Sequence, residues 1–135
     1  MKILVVDDDK SICEIFTVLF SSHGYEVKTS RDGLSAITEA VEFKPDIVLL
    51  DIMMPVMSGY DFLDMLKNNT SMGPVVVVCS NIGEQTEINR ATQHGADGFL
   101  QKSDYIGETL VQAVEAIYAE TTAKRKQASA PTPTA

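Results

Sequence analysis

Apolar positions along the chain alternate between two rhythms. Short unbroken runs, ILVV at Ile3 to Val6, IVLL at Ile47 to Leu50 and VVVVC at Val75 to Cys79, have strand length and are almost all Val, Ile or Leu, as strands covered on both faces are. Tyr25 to Thr29 and Gly98 to Leu100 supply two shorter strand candidates. Between the strands the spacing changes to that of helices. Ile12, Ile15, Phe16, Leu19 and Phe20 repeat as one helical face, and Gly24 ends it as a C′ glycine does. A second helix is predicted from about Asp32, turning Ala36, Ile37, Ala40 and Val41 inward and ending before Pro45, which disfavours helical geometry at Lys44. The third opens at SGYD, where Ser58 can cap and Asp61 stands three residues on, with Phe62, Leu63 and Leu66 as its stripe. A weaker fourth spans Gln85 to His94 and closes at Gly95, and the fifth covers about Tyr105 to Thr121 with Leu110, Ala113, Val114 and Ile117 on one side. Five strand-helix units in succession predict an α/β fold, a doubly wound parallel sheet.

Composition narrows the class. A chain of 135 residues is long enough for one domain with a substantial core, and 44% hydrophobic with 22% charged residues is the balance of a soluble globular protein. No apolar run approaches the roughly 20 residues of a membrane span, and Met1-Lys2 leads straight into a strand rather than into a signal peptide, so a cytoplasmic location without membrane contact is expected. The two cysteines, Cys13 and Cys79, form no metal-ligand pattern and are expected as buried thiols. A net charge of −8, with all nineteen acids before residue 121, argues against direct contact with nucleic acid. After Thr122 the sequence AKRKQASAPTPTA lacks apolar surface, which divides the chain into a domain over 1–122 and an expected disordered tail over 123–135.

Candidate chemistry collects at the strand ends. In open α/β sheets ligands bind beyond the carboxyl ends of the strands. Asp7, Asp8 and Asp9 follow the first strand, Asp51 follows the third, Ser80 the fourth and Lys102 the fifth, so all should meet at one edge. Two unit charges about 4 Å apart repel by roughly 1 kcal/mol in water and about 4 kcal/mol at an effective dielectric near 20, so clustered carboxylates need compensation. A hard, oxygen-rich set of this kind suits Mg²⁺ better than zinc or copper. The plainer alternative is that the acids cap the first helix, which fits Asp9 best.

These residues carry a resemblance. Over about residues 1 to 122 the chain resembles the receiver domain of bacterial two-component response regulators, through ILVVDDD, PDIVLLDIMMPVMSGYDFL, the hydroxyl at Ser80 and GADGFLQK in that order. The resemblance implies a flavodoxin-like (βα)5 sheet with strand order 2-1-3-4-5. It implies a phosphoryl group accepted on Asp51 from a histidine kinase or phosphotransfer protein, with Mg²⁺ held by Asp8, Asp51 and the backbone carbonyl of Met53, and by Asp7 through water. Ser80 would hydrogen-bond the phosphoryl oxygens and Lys102 would pair with them. Ser80 and Phe99 would then act as the switch that alters binding to a downstream protein. Self-phosphorylation and autodephosphorylation of this kind differ from enzyme action on a separate substrate.

The chain also departs from the family pattern. Ser103 stands where the family has proline after the lysine, so the Lys102-Ser103 bond is expected to be trans unless the loop is unusually constrained. Counting from Pro74 brings Cys79 to the phosphate, whereas counting back from Gly95 and Lys102 brings Ser80, whose hydroxyl suits the chemistry. Asn81 would lie beside the pocket, and Met53 and Ile82 would shield an acyl phosphate from water. The alternative reading is a degenerate receiver acting only as an interaction module. In either case the chain is expected as a stand-alone regulator, a monomer or a weak dimer through its fourth and fifth helices.

Overall fold

A computed structural model describes residues 1–52, 58–69, 73–81 and 84–129. Five strands, β1 (Lys2–Val6), β2 (Glu26–Ser30), β3 (Ile47–Leu50), β4 (Val75–Ser80) and β5 (Gly98–Gln101), alternate with α1 (Lys10–Ser22), α2 (Gly33–Phe43), α3 (Gly59–Asn69), α4 (Gln85–Gln93) and α5 (Glu108–Ser129). The strands are all parallel and lie in the order β2-β1-β3-β4-β5.

Strand alternation builds two core layers. Ile3, Val5, Ile47, Leu49, Val75, Val77 and Cys79 face a cluster that includes Phe16 and Phe20 of α1 and Leu110, Val111 and Val114 of α5. Leu4, Val6, Val48, Leu50, Val76 and Val78 face Ala36 and Ala40 of α2, Phe62, Leu63 and Leu66 of α3, and Ala91 of α4. The three central strands are therefore buried on both faces, which is why their sequences show no polar alternation. β2, at one edge, exposes Glu26, Lys28 and Thr29.

Local chemistry fixes most element ends. Asp9 caps α1 by accepting from the Ser11 and Ile12 amides at 2.8 and 3.3 Å, and Asp32 caps α2 through the Ser35 amide at 2.8 Å. Ser58 Oγ accepts from the Asp61 amide at 3.3 Å at the start of α3. Gly24, at φ +86°, closes α1 in the left-handed region that glycine adopts without strain. Lys44 ends α2 at φ 52°, immediately before Pro45.

The last helix differs from expectation at both ends. It starts at Glu108 rather than near Tyr105, because Lys102–Asp104 form a 3₁₀ turn and the Thr109 hydroxyl bonds the Ile106 amide and carbonyl at 3.0 and 2.8 Å. It then continues through residues 123–129, which composition had assigned to a disordered tail; residues 130–135 lie outside the described residues. The extension is anchored by Arg125, which donates to the Gly73 carbonyl at 2.7 Å and reaches the Pro74 carbonyl and Asp97 Oδ2 at 3.4 Å. The described residues contain no cis peptide bond, so the Lys102-Ser103 bond is trans.

Candidate functional site

The carboxyl edge of the sheet gathers the acids. Asp7 follows β1, with its amide bonded to the Ser30 carbonyl at 3.0 Å, and Asp51 follows β3, with its amide bonded to the Val6 carbonyl at 2.8 Å. These ladder bonds carry both residues just past their strands while keeping them in the sheet. Asp7 is 2% exposed and Asp51 9%. Oxygens of Asp7, Asp8 and Asp51 all lie within 4.8 Å of one another, the only such metal-capable cluster among the described residues.

Lys102 enters from the end of β5. Its Nζ donates to Asp7 Oδ2 at 2.7 Å and lies 3.7 Å from Asp51 Oδ2. Burial pulls the ammonium down, but the hydrogen bond it donates to Asp7 and the attraction of both carboxylates outweigh it, so its pKa lies above the ordinary value. The cation is thus fixed beside Asp51 while its shorter contact is to Asp7.

Further bonds hold the loop after β1. The Asp9 amide donates to Asp7 Oδ1 at 3.0 Å, and the Cys13 thiol donates to the Asp7 carbonyl at 3.3 Å. Arg31, which follows β2, donates to the Asp8 carbonyl through Nε and an Nη at 3.3 and 3.2 Å. Sequence reasoning had not singled out Arg31, although the rule that collects residues just after each strand reaches it as well.

Ser80 closes β4 beside Gln101, and is 3% exposed. Cys79 packs in the layer under α1 and α5; burial raises its thiol pKa to about 12, with Lys102 pulling it down and Asp7 and Asp51 pushing it up. Phe99 pairs in register with Val78 and is half-buried against the layer under α2, α3 and α4. Met53 and Ile82 lie outside the described residues.

An acid cluster on the carboxyl edge of a doubly wound sheet, with a lysine from the last strand, places the chain among the α/β domains whose ligand site lies beyond the strand ends. Comparison makes the class specific: residues 3–115 match the model of the response regulator receiver domain, and the chain belongs to that family. It is 34% identical over 101 residues to the DNA-binding response regulator MtrA of Mycobacterium tuberculosis, covering 75% of this chain and 43% of that protein. It is 33% identical over 101 residues to the alkaline phosphatase synthesis transcriptional regulatory protein PhoP of Bacillus subtilis, covering 75% and 42%. The chain therefore spans less than half the length of these curated relatives. Its fold is also that of the chemotaxis response regulator CheY4 of Vibrio cholerae, at 28% identity and a TM-score of 0.78 over 86% of this chain and 97% of that one. Receiver domains take up Mg²⁺ in an acidic pocket, and the three converging carboxylates form such a pocket here. Among the described residues no helix is long and apolar enough to cross a membrane.

Proposed function

We propose that this chain accepts a phosphoryl group on Asp51 and changes its binding to a protein partner as a result. The observation that carries the reading is the convergence of Asp7, Asp8 and Asp51 with the Lys102 ammonium 3.7 Å from Asp51. A carboxylate is a weak nucleophile, so the protein's contribution is alignment and charge compensation. An Asp51 oxygen attacks phosphorus, the bond from phosphorus to the donor nitrogen or oxygen breaks, and the donor keeps the bonding pair. Lys102 needs only a short movement from Asp7 to meet the new phosphoryl oxygens. Ser80 is the hydroxyl best suited to bond them, because the alternative, Cys79, is committed to the apolar layer.

The hard donor set of Asp7, Asp8 and Asp51 fits Mg²⁺, with Asp8 and Asp51 as direct ligands and Asp7 acting through water. Bound there, the ion supplies charge neutralisation for the transferring group. The phosphoryl donor is a histidine kinase or phosphotransfer protein. The added charge of about −1.5 to −2 is read through Ser80 and Phe99 by a protein target. MtrA is named as DNA-binding; the acidic balance of this chain, −8 in net charge, fits a protein partner better than DNA.

Intact-mass analysis after incubation with acetyl phosphate tests the reading. A phosphoryl adduct is expected with Mg²⁺, and none with a chelator or in Asp51→Asn. No adduct under any of these conditions would overturn it in favour of a binding-only domain.

A further inference from the structure

Arg31 is placed by its two neighbours in sequence. Ser30 ends β2 in register with Val6, and its carbonyl accepts from the Asp7 amide at 3.0 Å. Asp32 caps α2, accepting from the Ser35 amide at 2.8 Å and from the Ser35 hydroxyl at 3.0 Å. The main chain at Arg31 is thus tied to β1 on one side and to α2 on the other, and its side chain starts from a fixed point at the carboxyl edge of the sheet. From there Nε and an Nη both donate to the Asp8 carbonyl, at 3.3 and 3.2 Å. This is the grip of a rigid, planar guanidinium fork, which a single ammonium nitrogen does not offer.

The choice of acceptor carries the argument. Arg31 stands beside three acids, and charge alone would draw its guanidinium to a carboxylate. It holds main chain instead, and the Asp8 carboxylate is left with those of Asp7 and Asp51, an oxygen of each within 4.8 Å of the others. The three acids also differ in what fixes them. Asp7 is held by the Ser30 carbonyl, the Asp9 amide, the Cys13 thiol and Lys102, and the Asp51 amide is held by the Val6 carbonyl. Asp8 is only half-buried, and among the described residues both hydrogen bonds it makes come from Arg31. The placement of one of the three carboxylates therefore depends on one exposed side chain from the edge strand.

We infer that Arg31 is a positioning residue that pins the main chain at Asp8, sets the width of the acid pocket, and so favours Mg²⁺ over the larger Ca²⁺. The inference rests on the reading of the pocket as a divalent-cation site. Mg²⁺ demands near-ideal geometry with oxygens at about 2.0–2.1 Å, whereas Ca²⁺ accepts about 2.3–2.6 Å in irregular arrangements, so a pinned pocket selects the smaller ion and a slack one loses the selection. Charge acting alone predicts something else. A guanidinium repels either divalent cation, and its removal would strengthen the binding of both alike.

Calorimetric titration with MgCl₂ and with CaCl₂ on wild type, Arg31→Ala and Arg31→Lys tests the inference. Exchange of the Asp9 amide, followed by NMR in chelator, adds a readout that needs no metal, because that amide is bonded to Asp7 Oδ1 at 3.0 Å in the same loop. In Arg31→Ala the affinity for Mg²⁺ should fall about tenfold, the lower end of what loss of a supporting hydrogen bond costs a metal site, and that for Ca²⁺ by much less. Asp9 exchange should rise severalfold. Arg31→Lys keeps the charge without the fork and should lie between the other two in both readouts. An unchanged ratio of the two affinities in Arg31→Ala overturns the inference, whether both rise, as charge alone requires, or both fall together, as general loss of structure requires. A lysine variant with the wild-type ratio overturns it as well, since charge without the fork then suffices. Wild type that binds neither ion overturns the cation reading and the selectivity with it, while Asp9 exchange still judges the pinning: unchanged protection in Arg31→Ala overturns that by itself.

Discussion

At the scale of single residues, Tyr60 of α3 is an unusual acid, because its hydroxyl donates to Glu87 Oε2 of α4 at 2.5 Å and the Arg90 guanidinium stacks over its ring at 4.4 Å. Burial raises its pKa to about 12, the hydrogen bond to Glu87 and that residue's charge add to the rise, and Arg90 opposes it. An unfolded tyrosine ionises near pH 10, so between about 10 and about 12 the folded chain keeps a proton that the unfolded chain has lost. Stability from this group is complete below pH 10 and falls as pH rises through that window. Spectrophotometric titration should show a late-ionising tyrosine in wild type that disappears in Tyr60→Phe and ionises earlier in Glu87→Ala. Tyr25 will contribute a second late phase, since burial and its hydrogen bond to Glu115 raise it too. Gly59 is the other residue whose identity is dictated by contact. Gly59→Ala must displace the Asp51-Ile52 backbone, because the colliding atoms are main chain and cannot rotate away. A cost of about 1–3 kcal/mol is expected from such overpacking, measured by urea unfolding, together with slower adduct formation on Asp51.

At the scale of elements, the legibility of the sequence follows how local the determining contacts are. β3 matches its expected bounds, Ile47–Leu50, because a four-residue apolar run between Asp46 and Asp51 leaves no other reading. The starts of α1, α2 and α3 follow from Asp9, Asp32 and Ser58, whose side chains bond amides two or three residues away. The end of α5 was not legible, because the partners of Arg125 lie 28 to 52 residues distant. The same is true of the Tyr60 hydrogen bond, which spans 27 residues to Glu87. In the pocket, the edge rule predicts that Asp7, Asp8, Asp51 and Lys102 meet; it does not predict that the lysine sits closer to Asp7 than to Asp51. The contacts of Arg125 make a prediction at this scale. Its guanidinium ties α5 to the Gly73 and Pro74 carbonyls just before β4 and to Asp97, which also accepts from the Val76 amide at 2.9 Å and lies 3.8 Å from Lys67. Losing charge-assisted bonds to two carbonyls and a carboxylate should cost about 1.5–3 kcal/mol in Arg125→Ala. Urea unfolding checks the value. Exchange of the residue 123–129 amides should rise in the variant while that of α1 does not.

At the scale of the whole molecule, the two apolar layers and the acid pocket pull in opposite directions. The layers favour a compact sheet in which β1 and β3 end side by side, and that compactness forces Asp7, Asp8 and Asp51 together. Lys102 lies 2.7 Å from Asp7 and 3.7 Å from Asp51, so a single ammonium faces a cluster of three carboxylates. Mg²⁺ that binds the folded chain and not the unfolded one stabilises it by mass action, by about 2.7 kcal/mol at a hundredfold excess over Kd. Each kcal/mol moves the melting temperature by a few degrees in a domain of this size. Wild type should therefore melt several degrees lower in chelator than in excess Mg²⁺. Asp8→Asn separates this account from simple salt screening by changing sign between the two conditions. Without Mg²⁺ the variant should be more stable than wild type, by on the order of 1 kcal/mol, since a like charge has gone. With Mg²⁺ the order should reverse, since the variant has lost a ligand and wild type has gained the ion. Melting curves that do not cross, or a wild type indifferent to Mg²⁺, would mean that the three carboxylates are tolerated for a reason other than a divalent cation.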